Sequence, residues 1–432
     1  MKKAASFALG CKVNQYESEA IAELFAEKGY EIVDIEEQAD VYVINTCTVT
    51  NFGDKKSRQL IRKVKRQNPQ AIVAVVGCYA QTAPQELMQV EGVNLVLGTK
   101  DRASIVELVE QYDESRGVES HVTDIMKERV FEPLSIQKLA NRTRAYLKIQ
   151  DGCSQFCSYC IIPYARGPIR SRDPEEVLAE VRRLAENGFK EVVLTGIHVA
   201  SYGKERRDTS LLEILEQVHA VEGIERIRFS SIEPNVVTEA FAEKIAALPK
   251  VCDHFHLSLQ SGCDKTLKEM NRKYDTEKYR QAAKILRQHL PHVALTTDII
   301  VGFPGETEED FQESYAFAKE IGFAKIHVFP YSPKRGTPAA ARKDQLPNAV
   351  KSARSHALLT LSDEMAAGFL EEYVGQTVEV LYERAIAEGV YEGHTTNYIK
   401  VRGRSEQDLT NRICPTRITA REAEELLGEA EV

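Results

Sequence analysis

The chain has 432 residues, of which 43% are hydrophobic and 28% are charged, and its formal net charge is −9. This length exceeds one ordinary hydrophobic core, so we expect two or three domains. The negative charge argues against a protein that coats nucleic acid non-specifically, although it is compatible with a local basic surface. The short apolar start has no cleavage pattern, and no later run approaches the roughly 20 apolar residues that span a bilayer. We therefore expect a cytoplasmic protein without membrane contact.

The first stretch of about 110 residues alternates between β-type apolar runs and amphipathic segments. This alternation predicts an α/β domain over residues 1–112, with a doubly wound parallel sheet. A polar segment with little periodicity follows, and we interpret residues 113–138 as a linker. The predicted strands are Ala5–Leu9, Val41–Ile44, Ile72–Val76 and Val93–Leu97. The predicted helices lie near Ser18–Lys28, Asp54–Arg66 and Pro84–Val90.

A second series of strand and helix signals follows the linker. Five or six such units predict a whole or partial βα barrel over residues 139–369, although periodicity alone leaves a second doubly wound sheet open. The predicted strands are Ala145–Ile149, Glu191–Leu194, Arg226–Phe229, His254–Leu259, Ala294–Val301 and Lys325–Phe329. Predicted helices include Pro174–Glu186, Leu211–Ala220 and Glu308–Ile321.

The pattern changes to short alternating runs from about Tyr373 onward. These runs, with Gly and Asn at the turns, predict a small β-barrel within a domain of residues 370–432. The runs are Gly375–Tyr382, Val390–Thr395 and Asn397–Val401. A charged segment, Ala420–Glu429, is predicted to form a helix that closes the chain.

The chain contains nine cysteines and no secretory pattern, which favours metal ligation over a disulfide framework. Cys252, Cys263 and Cys414 stand apart in the sequence, and we expect each to be a small buried residue. The other six cysteines form two groups of three.

One group, Cys153, Cys157 and Cys160, has the spacing Cys-x3-Cys-x2-Cys and follows the first predicted barrel strand. We call these the barrel cysteines. Active sites of βα barrels lie at that end of the strands, and three thiolates can hold a 4Fe–4S cluster with one open iron. A structural zinc site would need a fourth ligand nearby. The nearest later histidine is His198, which we expect to be an ordinary core or surface residue.

The second group, Cys11, Cys47 and Cys78, is spread along the amino-terminal domain. We call these the sheet-edge cysteines, because each falls just beyond a predicted strand. Parallel strands end at one edge of a sheet, so the three thiols are expected to converge and to hold a second cluster. The alternative is three unrelated buried cysteines.

The barrel motif, with Tyr159 before its last cysteine, resembles that of the radical S-adenosylmethionine (SAM) superfamily. Other segments resemble the methylthiotransferases within that superfamily, and the carboxyl-terminal β segment resembles the TRAM domain, a small RNA-binding barrel. The matching segments are Leu9–Ser18, Asn45–Thr50, Gly77–Gln81, Tyr146–Cys153, Pro163–Gly167 and Gly302–Thr307.

The residues after the first cysteine, Lys12 to Glu17, most resemble one branch of that family. That branch methylthiolates C2 of N6-threonylcarbamoyladenosine at position 37 of tRNA. The resemblance implies SAM and two 4Fe–4S clusters, with radical generation at the barrel cysteines and sulfur delivery at the sheet-edge cysteines. It further implies the tRNA anticodon stem-loop and an electron donor such as flavodoxin or ferredoxin as partners, and it leaves the sulfur source open.

Two other functions compete with this one. The same chemistry could act on N6-isopentenyladenosine of tRNA or on an aspartate of a ribosomal protein. A second class would be a non-catalytic iron–sulfur electron carrier or RNA-binding protein. Two three-cysteine sites argue against a carrier, because a carrier usually gives its irons four protein ligands.

The resemblance, together with positions at strand ends, suggests five SAM contacts. For each polar residue among them the alternative is a hydrogen bond that stabilises a loop. The five are Tyr159, Thr195, Gly196, Glu233 and Gln260.

Basic residues in three places are candidate RNA contacts. The helix predicted at Asp54–Arg66 is the most basic in the chain, although it could be an ordinary solvated face. A second set follows the barrel motif and could guide the anticodon loop inward. The third lies in the carboxyl-terminal domain, with Tyr398 as a stacking surface, although carboxylates there outnumber Lys and Arg together. The candidates are Lys55, Lys56, Arg58 and Arg62, then Arg166, Arg170 and Arg172, then Lys400, Arg402 and Arg404.

Overall fold

The computed structural model describes residues 1–136 and 143–431. Three architectures follow one another along the chain: a parallel sheet between helices, an open barrel of strands and helices, and a closed β-barrel. No helix in these two ranges is long and apolar enough to cross a membrane. The predicted boundary between linker and barrel, at 138/139, lies outside the described residues.

The amino-terminal sheet has six parallel strands in the order β2-β1-β3-β4-β5-β6. Tyr42 and Ile44 of its third strand pack into one hydrophobic core, whereas Val41 and Val43 pack into another. Because cores lie on both faces, the doubly wound prediction is confirmed. The strands are β1 Lys3–Ala8, β2 Glu31–Ile32, β3 Val41–Thr46, β4 Ile72–Gly77, β5 Leu95–Val96 and β6 Glu119–Ser120. The helices are α1 Lys12–Glu27, α2 Asn51–Gln67, α3 Cys78–Thr82, α4 Pro84–Met88 and α5 Ile105–Glu110.

Strand β6 lies inside the segment that was predicted to be a linker. Glu119 pairs with Leu95 of β5, so this part of the chain completes the sheet. Further along, Leu134 and Ile136 are buried against Tyr16 of α1. The predicted linker segment therefore contributes one strand to the sheet, and a strand of two residues is too short to produce a visible periodicity.

The central strands form a partial barrel. Parallel pairing joins β7, β9 and β10, and likewise β11, β12 and β13, while β8 pairs antiparallel to β7. Two parallel bridges, Ile227–Val251 and Ile232–Leu257, connect the two sheets, and one hydrophobic core spans both. The strands are β7 Arg144–Asp151, β8 Arg170–Ser171, β9 Glu191–Gly196, β10 Arg226–Phe229, β11 His254–His256, β12 Ala294–Val301 and β13 Lys325–Pro330. The helices are α6 Ile162–Arg166, α7 Pro174–Glu186, α8 Leu211–His219, α9 Glu239–Ala246, α10 Asp264–Glu269, α11 Thr276–His289, α12 Glu308–Ile321 and α13 Asn348–Glu371.

Five strands close into a barrel after α13, which confirms the predicted small β-barrel. The predicted helix at Ala420–Glu429 is wrong, because this segment contains the end of one strand and most of the last strand, and Leu426 is buried in the barrel core. Glu, Ala and Leu favour a helix locally, but pairing with distant strands decides the outcome. The strands are β14 Thr377–Ala387, β15 Val390–Thr395, β16 Lys400–Arg404, β17 Ile413–Glu422 and β18 Glu425–Ala430.

Candidate active site

The sheet-edge cysteines lie at the carboxyl edge of the amino-terminal sheet. Cys11 caps α1 shortly after β1, Cys47 follows β3, and Cys78 begins α3 directly after β4. These three strands are parallel neighbours, so their ends meet at one edge. A β-carbon added to Gly10 would lie only 2.7 Å from Cys47 Sγ, which shows how closely the first two strand ends approach each other.

The barrel cysteines occupy the loop after β7. Gly152 turns the chain out of the strand with a φ of +73°, a conformation that glycine adopts without strain. The Cys153 N–H donates to the Gly167 carbonyl at 2.9 Å, and the Cys160 N–H donates to the Cys157 carbonyl at 3.0 Å. These backbone hydrogen bonds hold the three thiols in one short loop.

The donor chemistry of both sites fits an iron–sulfur cluster. Burial, followed by the nearby Cys78, raises the pKa of Cys47 to about 12, and burial raises the pKa of Cys153 to about 11. Burial and then the nearby Cys157 raise the pKa of Cys160 to about 12. Such side chains stay protonated at neutral pH unless a metal displaces the proton.

A single metal ion is a poorer fit to these sites than a cluster. In the part of the chain that the structure describes, no three His, Cys, Asp or Glu side chains converge closely enough to bind one ion. Thiolates that bind three different irons stand farther apart than ligands of one ion. Three cysteines per site therefore suit a cluster that keeps one iron free of protein ligands.

One cavity of about 940 Å³ joins the two cysteine sites. Cys11 lines it from the sheet edge, and Cys153, Cys157 and Cys160 line it from the barrel. Its volume lies at the upper end of the roughly 300–1,000 Å³ of small-molecule pockets. Both sites can therefore act on a molecule held in the same space.

We expect a substitution at Gly10 to disturb the sheet-edge cysteines. Its φ is +99°, and an added β-carbon would meet Cys47 Cβ at 2.6 Å. We expect Gly10→Ala to displace Cys47, so that reconstituted protein binds about half of the iron of the parent. Iron analysis after reconstitution measures this loss.

Gly29→Ala is the matched control for this substitution. Gly29 also has a left-handed backbone, with a φ of +84°, but nothing lies within 4 Å of the position of its β-carbon. We expect this variant to bind the full amount of iron. Full iron in Gly10→Ala as well would contradict the predicted close contact between the strand ends.

The structure brings four of the five predicted SAM contacts to the cavity wall. The fifth, Gln260, donates its backbone N–H to the Asp298 carbonyl at 2.8 Å, and Ser258 lines the cavity at this strand end. Gln260 has a φ of +74°, so the chain turns sharply there. The four lining residues are Tyr159, Thr195, Gly196 and Glu233.

Glu233 is held in a network that reaches a barrel cysteine. Its carboxylate lies 2.9 Å from Arg272 Nη2 and 3.1 Å from His198 Nε2. Arg272 Nη1 also donates to Cys157 Sγ at 3.3 Å. Burial opposes ionisation of Glu233, but the nearby His198 and the charge of Arg272 outweigh it and lower the pKa of Glu233. His198, which we expected to be an ordinary residue, thus belongs to the cavity wall.

The three arginines after the barrel motif are buried, so the prediction that they contact RNA is wrong. Arg170 Nη2 lies 3.6 Å from Asp151 Oδ2, and Arg172 Nη1 lies 2.6 Å from Glu180 Oε2. Arg166 has no exposed side-chain surface. Each guanidinium is paired with a carboxylate inside the protein, which leaves it unable to reach a phosphate.

Arg166 instead connects the barrel to the sheet-edge site. Its Nε donates to Cys78 Sγ at 3.1 Å, its Nη1 to Glu17 Oε1 at 2.5 Å, and its Nη2 to Asn14 Oδ1 at 2.6 Å. Burial opposes the charge on Glu17, but Arg102, Arg166 and Lys148 hold the pKa of Glu17 well below its usual range. Cys78 therefore lies against a buried network of opposite charges.

The candidate RNA contacts on α2 differ in whether their charges are already paired within the protein. Arg58 Nη1 donates to the Tyr79 hydroxyl at 2.5 Å and to Glu86 Oε1 at 3.0 Å, so its charge is already engaged. The helix begins next to the cavity, because Val49, which lines the cavity, lies just before it. Three of its candidates are exposed to solvent: Lys55, Lys56 and Arg62.

Two of the three candidate RNA contacts in the closed barrel form ion pairs with carboxylates. Lys400 Nζ lies 2.6 Å from Glu392 Oε2, and Arg402 forms an ion pair with Glu425. Arg404 is exposed. The acidic composition of this domain thus directly reduces the number of cations available for RNA.

Tyr398 is not a free stacking surface. The guanidinium carbon of Arg228 lies 4.7 Å from the centre of its ring, and that of Arg144 lies 5.2 Å away. The His394 ring stacks on Tyr398 at 4.7 Å. Tyr398 lines the cavity instead.

Sequence reasoning did not single out a polar end of the cavity. Lys12, His254, His256 and His327 line it near Tyr398. Burial, followed by nearby arginine charges, lowers the pKa of Lys12 to about 8. Two sequence signals pointed to Lys12: it directly follows a strand-end cysteine, and it begins the segment that resembles one branch of the family.

Comparison with known proteins agrees with this geometry. Residues 147–318 match the radical SAM superfamily, and residues 3–98 match a family described as uncharacterized protein family UPF0004. The chain is 48% identical to threonylcarbamoyladenosine tRNA methylthiotransferase MtaB of Bacillus subtilis, over 97% of this chain and 94% of the relative. It is 38% identical to tRNA-2-methylthio-N(6)-dimethylallyladenosine synthase of Moorella thermoacetica, over 97% and 96%.

A solved structure shares the fold. The radical S-adenosylmethionine methyltransferase TsrM of Kitasatospora setae aligns with a TM-score of 0.57 and 18% identity, and the alignment covers 79% of this chain and 77% of TsrM. The family assignment rests on the sequence identity to these relatives over nearly the whole chain, because a shared fold at 18% identity shows the fold alone. The chain belongs to the radical SAM methylthiotransferase family, in its MtaB-like branch.

Proposed function

We propose that this enzyme replaces the hydrogen on C2 of N6-threonylcarbamoyladenosine, at position 37 of tRNA, with a methylthio group. The observation that carries the proposal is the single cavity of about 940 Å³ that both three-cysteine sites adjoin. The names of the relatives support a modified tRNA adenosine as the substrate. Identity of 48% to the threonylcarbamoyladenosine enzyme, against 38% to the dimethylallyladenosine enzyme, favours the first of these bases.

We assign one 4Fe–4S cluster to the barrel cysteines and one to the sheet-edge cysteines. When bound, the clusters and SAM supply reductive cleavage of SAM, the sulfur atom and the methyl group. The protein orients these groups and keeps bulk water from them. Arg272 and Arg166 each donate an N–H to one cysteine sulfur, Cys157 and Cys78, and these bonds would stabilise the negative charge of the thiolate ligands.

SAM would lie against the part of the cavity wall that includes Tyr159, Thr195, Gly196 and Glu233. The ionised Glu233, fixed by Arg272, offers an acceptor to the cofactor's hydroxyl or ammonium groups. Gln260 would act indirectly, by holding the turn after β11.

The proposed domains are residues 1–112 for sulfur delivery, 139–369 for radical generation and 370–432 as a TRAM-like RNA-binding barrel, joined by residues 113–138. We place the enzyme in the cytoplasm, where tRNA is modified. The partner RNA element would be the anticodon stem-loop, whose unpaired bases can enter a pocket. A small electron-transfer protein such as flavodoxin or ferredoxin would supply electrons.

Phosphates of the stem-loop are proposed to lie along α2. We expect the triple variant Lys55→Glu, Lys56→Glu and Arg62→Glu to bind the stem-loop about tenfold or more weakly at low salt, because three exposed cations are replaced by anions. The slope of log K against log salt should fall by about 0.7–0.9 for each lost phosphate contact. Titrations at several salt concentrations measure both quantities.

A control with the same change in charge uses three exposed residues on other helices: Arg182→Glu, Lys284→Glu and Lys319→Glu. We expect a smaller loss of affinity and an unchanged salt slope. Equal losses in both triple variants would mean that α2 makes no local contact and that only total charge matters.

Cleavage of SAM tests the enzymatic part of the proposal. Reduced, iron-loaded protein should convert SAM to 5′-deoxyadenosine, and with the threonylcarbamoyladenosine stem-loop it should form the methylthio product. No cleavage by fully loaded, reduced protein would favour an electron carrier or a binding protein.

A further inference from the structure

Lys12 places an ammonium group in the wall of the cavity. It is half-buried and lines the cavity, and its Nζ lies 5.8 Å from the centre of the Tyr146 ring. Across residues 1–136 and 143–431, no Asp or Glu forms an ion pair with it. A cation in such a place is stabilised when an anion binds beside it.

The neighbouring cations already have partners of their own. Arg228 Nε lies 2.8 Å from Glu191 Oε1, and Arg144 Nη2 lies 3.5 Å from Glu383 Oε2. Of these three cations, Lys12 is therefore the one that has no ion-pair partner among the described residues.

The adjoining wall is polar. His254 Nε2 and His256 Nδ1 lie 3.2 and 3.1 Å from the Thr296 hydroxyl, and the His254 ring lies 5.0 Å from that of Tyr398. Nδ1 of His254 is buried and has no hydrogen-bond partner in the described part of the chain. A hydrocarbon group placed here would exclude water from these atoms without offering them a partner, which is unfavourable. We call Lys12, His254, His256 and Tyr398 the Lys12 subsite.

The subsite lies beside the sheet-edge cysteines. Lys12 directly follows Cys11, and both residues line the same cavity. In adenine, C2 and the carbon that bears N6 flank the same ring nitrogen, so a substituent on N6 lies on the edge of the base that carries C2. A base that presents C2 to the sheet-edge site therefore directs its N6 substituent toward neighbouring residues such as Lys12.

We propose that Lys12 Nζ binds the carboxylate of the N6-threonylcarbamoyl group, and that the Lys12 subsite selects this base over one with a hydrocarbon substituent. This inference rests on the proposed function and names the residue that would carry its specificity. The threonylcarbamoyl group brings the carboxylate that Lys12 lacks, and its hydroxyl suits the imidazole wall. A dimethylallyl group brings neither.

The test measures binding of iron-loaded protein to three stem-loop RNAs that differ only at residue 37. One carries the threonylcarbamoyl group as the free acid, one carries it as the carboxamide, and one carries unmodified adenosine. We expect the parent protein to bind the acid about 10- to 100-fold more tightly than the carboxamide, as a charge-assisted hydrogen bond would give. Lys12→Met should bind both equally, and Lys12→Arg should keep most of the preference.

Lys28→Met is the matched control, because Lys28 is exposed at the end of α1. It should keep the full preference for the acid. Iron content and SAM cleavage of each variant verify that the clusters are loaded. If Lys12→Met fails to load iron, the parent protein still tests the carboxylate subsite. Equal affinity of the parent protein for the acid and the carboxamide overturns the proposal.

The two proposals fail in distinguishable ways. If the parent converts the threonylcarbamoyl stem-loop but loaded Lys12→Met keeps the full preference for the acid, only the role of Lys12 is overturned. If the parent forms no product from that stem-loop but converts a stem-loop that carries dimethylallyladenosine, the proposed function is overturned. The proposed carboxylate subsite is then overturned as well.

Discussion

Replacing all three barrel cysteines with alanine is expected to abolish SAM cleavage while leaving about half of the bound iron. The reason is that we assign one cluster to Cys153, Cys157 and Cys160 on the barrel loop, separate from the cluster assigned to the sheet edge. The methylthio product should also disappear. Iron analysis, electron paramagnetic resonance of the reduced protein and chromatography of 5′-deoxyadenosine measure these effects.

The complementary variant separates the two roles. With Cys11, Cys47 and Cys78 replaced by alanine, we expect about half of the iron again, continued SAM cleavage and no methylthio product. Cys414→Ala is the control, since this cysteine is buried in the closed barrel and should affect neither iron nor activity. Loss of SAM cleavage in both triple variants, with the remaining cluster intact, would contradict the separate roles assigned to the two sites.

Arg166→Gln is expected to destabilise the protein strongly. The guanidinium is fully buried and contacts Glu17, Asn14 and Cys78, so its removal leaves the buried Glu17 carboxylate with less compensating charge. Removing one partner of a buried ion pair typically costs about 3–5 kcal/mol. Denaturant unfolding of the parent and the variant measures the difference.

Arg182→Gln provides the comparison for this loss, because Arg182 is exposed on α7. Its free energy of unfolding should change by less than about 0.5 kcal/mol. If Arg166→Gln unfolded at the same denaturant concentration as Arg182→Gln, the buried network would not contribute to stability in the way its contacts indicate.

The positions of the six clustered cysteines could be predicted from the sequence, because each lies next to a local sequence signal. Cys11, Cys47 and Cys78 each follow an apolar run, and the rule that parallel strands end at one edge predicts their convergence. The barrel cysteines are recognisable from the spacing Cys-x3-Cys-x2-Cys alone. The α/β sheet and the partial barrel followed from the same strand and helix signals, since long buried strands leave continuous apolar runs.

The errors share a physical cause, which is that long-range packing decides burial. Arg166 resembles a surface cation in sequence, yet its partner Glu17 lies 149 residues away. Strand β18 has the composition of a helix, but it pairs with β16 and β17 to close the barrel. The Lys12 subsite escaped notice for the same reason, because its imidazoles come from β11, far along the chain.

The measurement that tests the central claim most directly is mass spectrometry of tRNA nucleosides from cells that lack this protein, compared with the parent strain. We predict that the methylthio form of N6-threonylcarbamoyladenosine disappears, that its unthiolated precursor accumulates, and that other methylthio nucleosides persist. Persistence of methylthio-threonylcarbamoyladenosine, with loss of a different methylthio nucleoside or of none, would contradict the assignment.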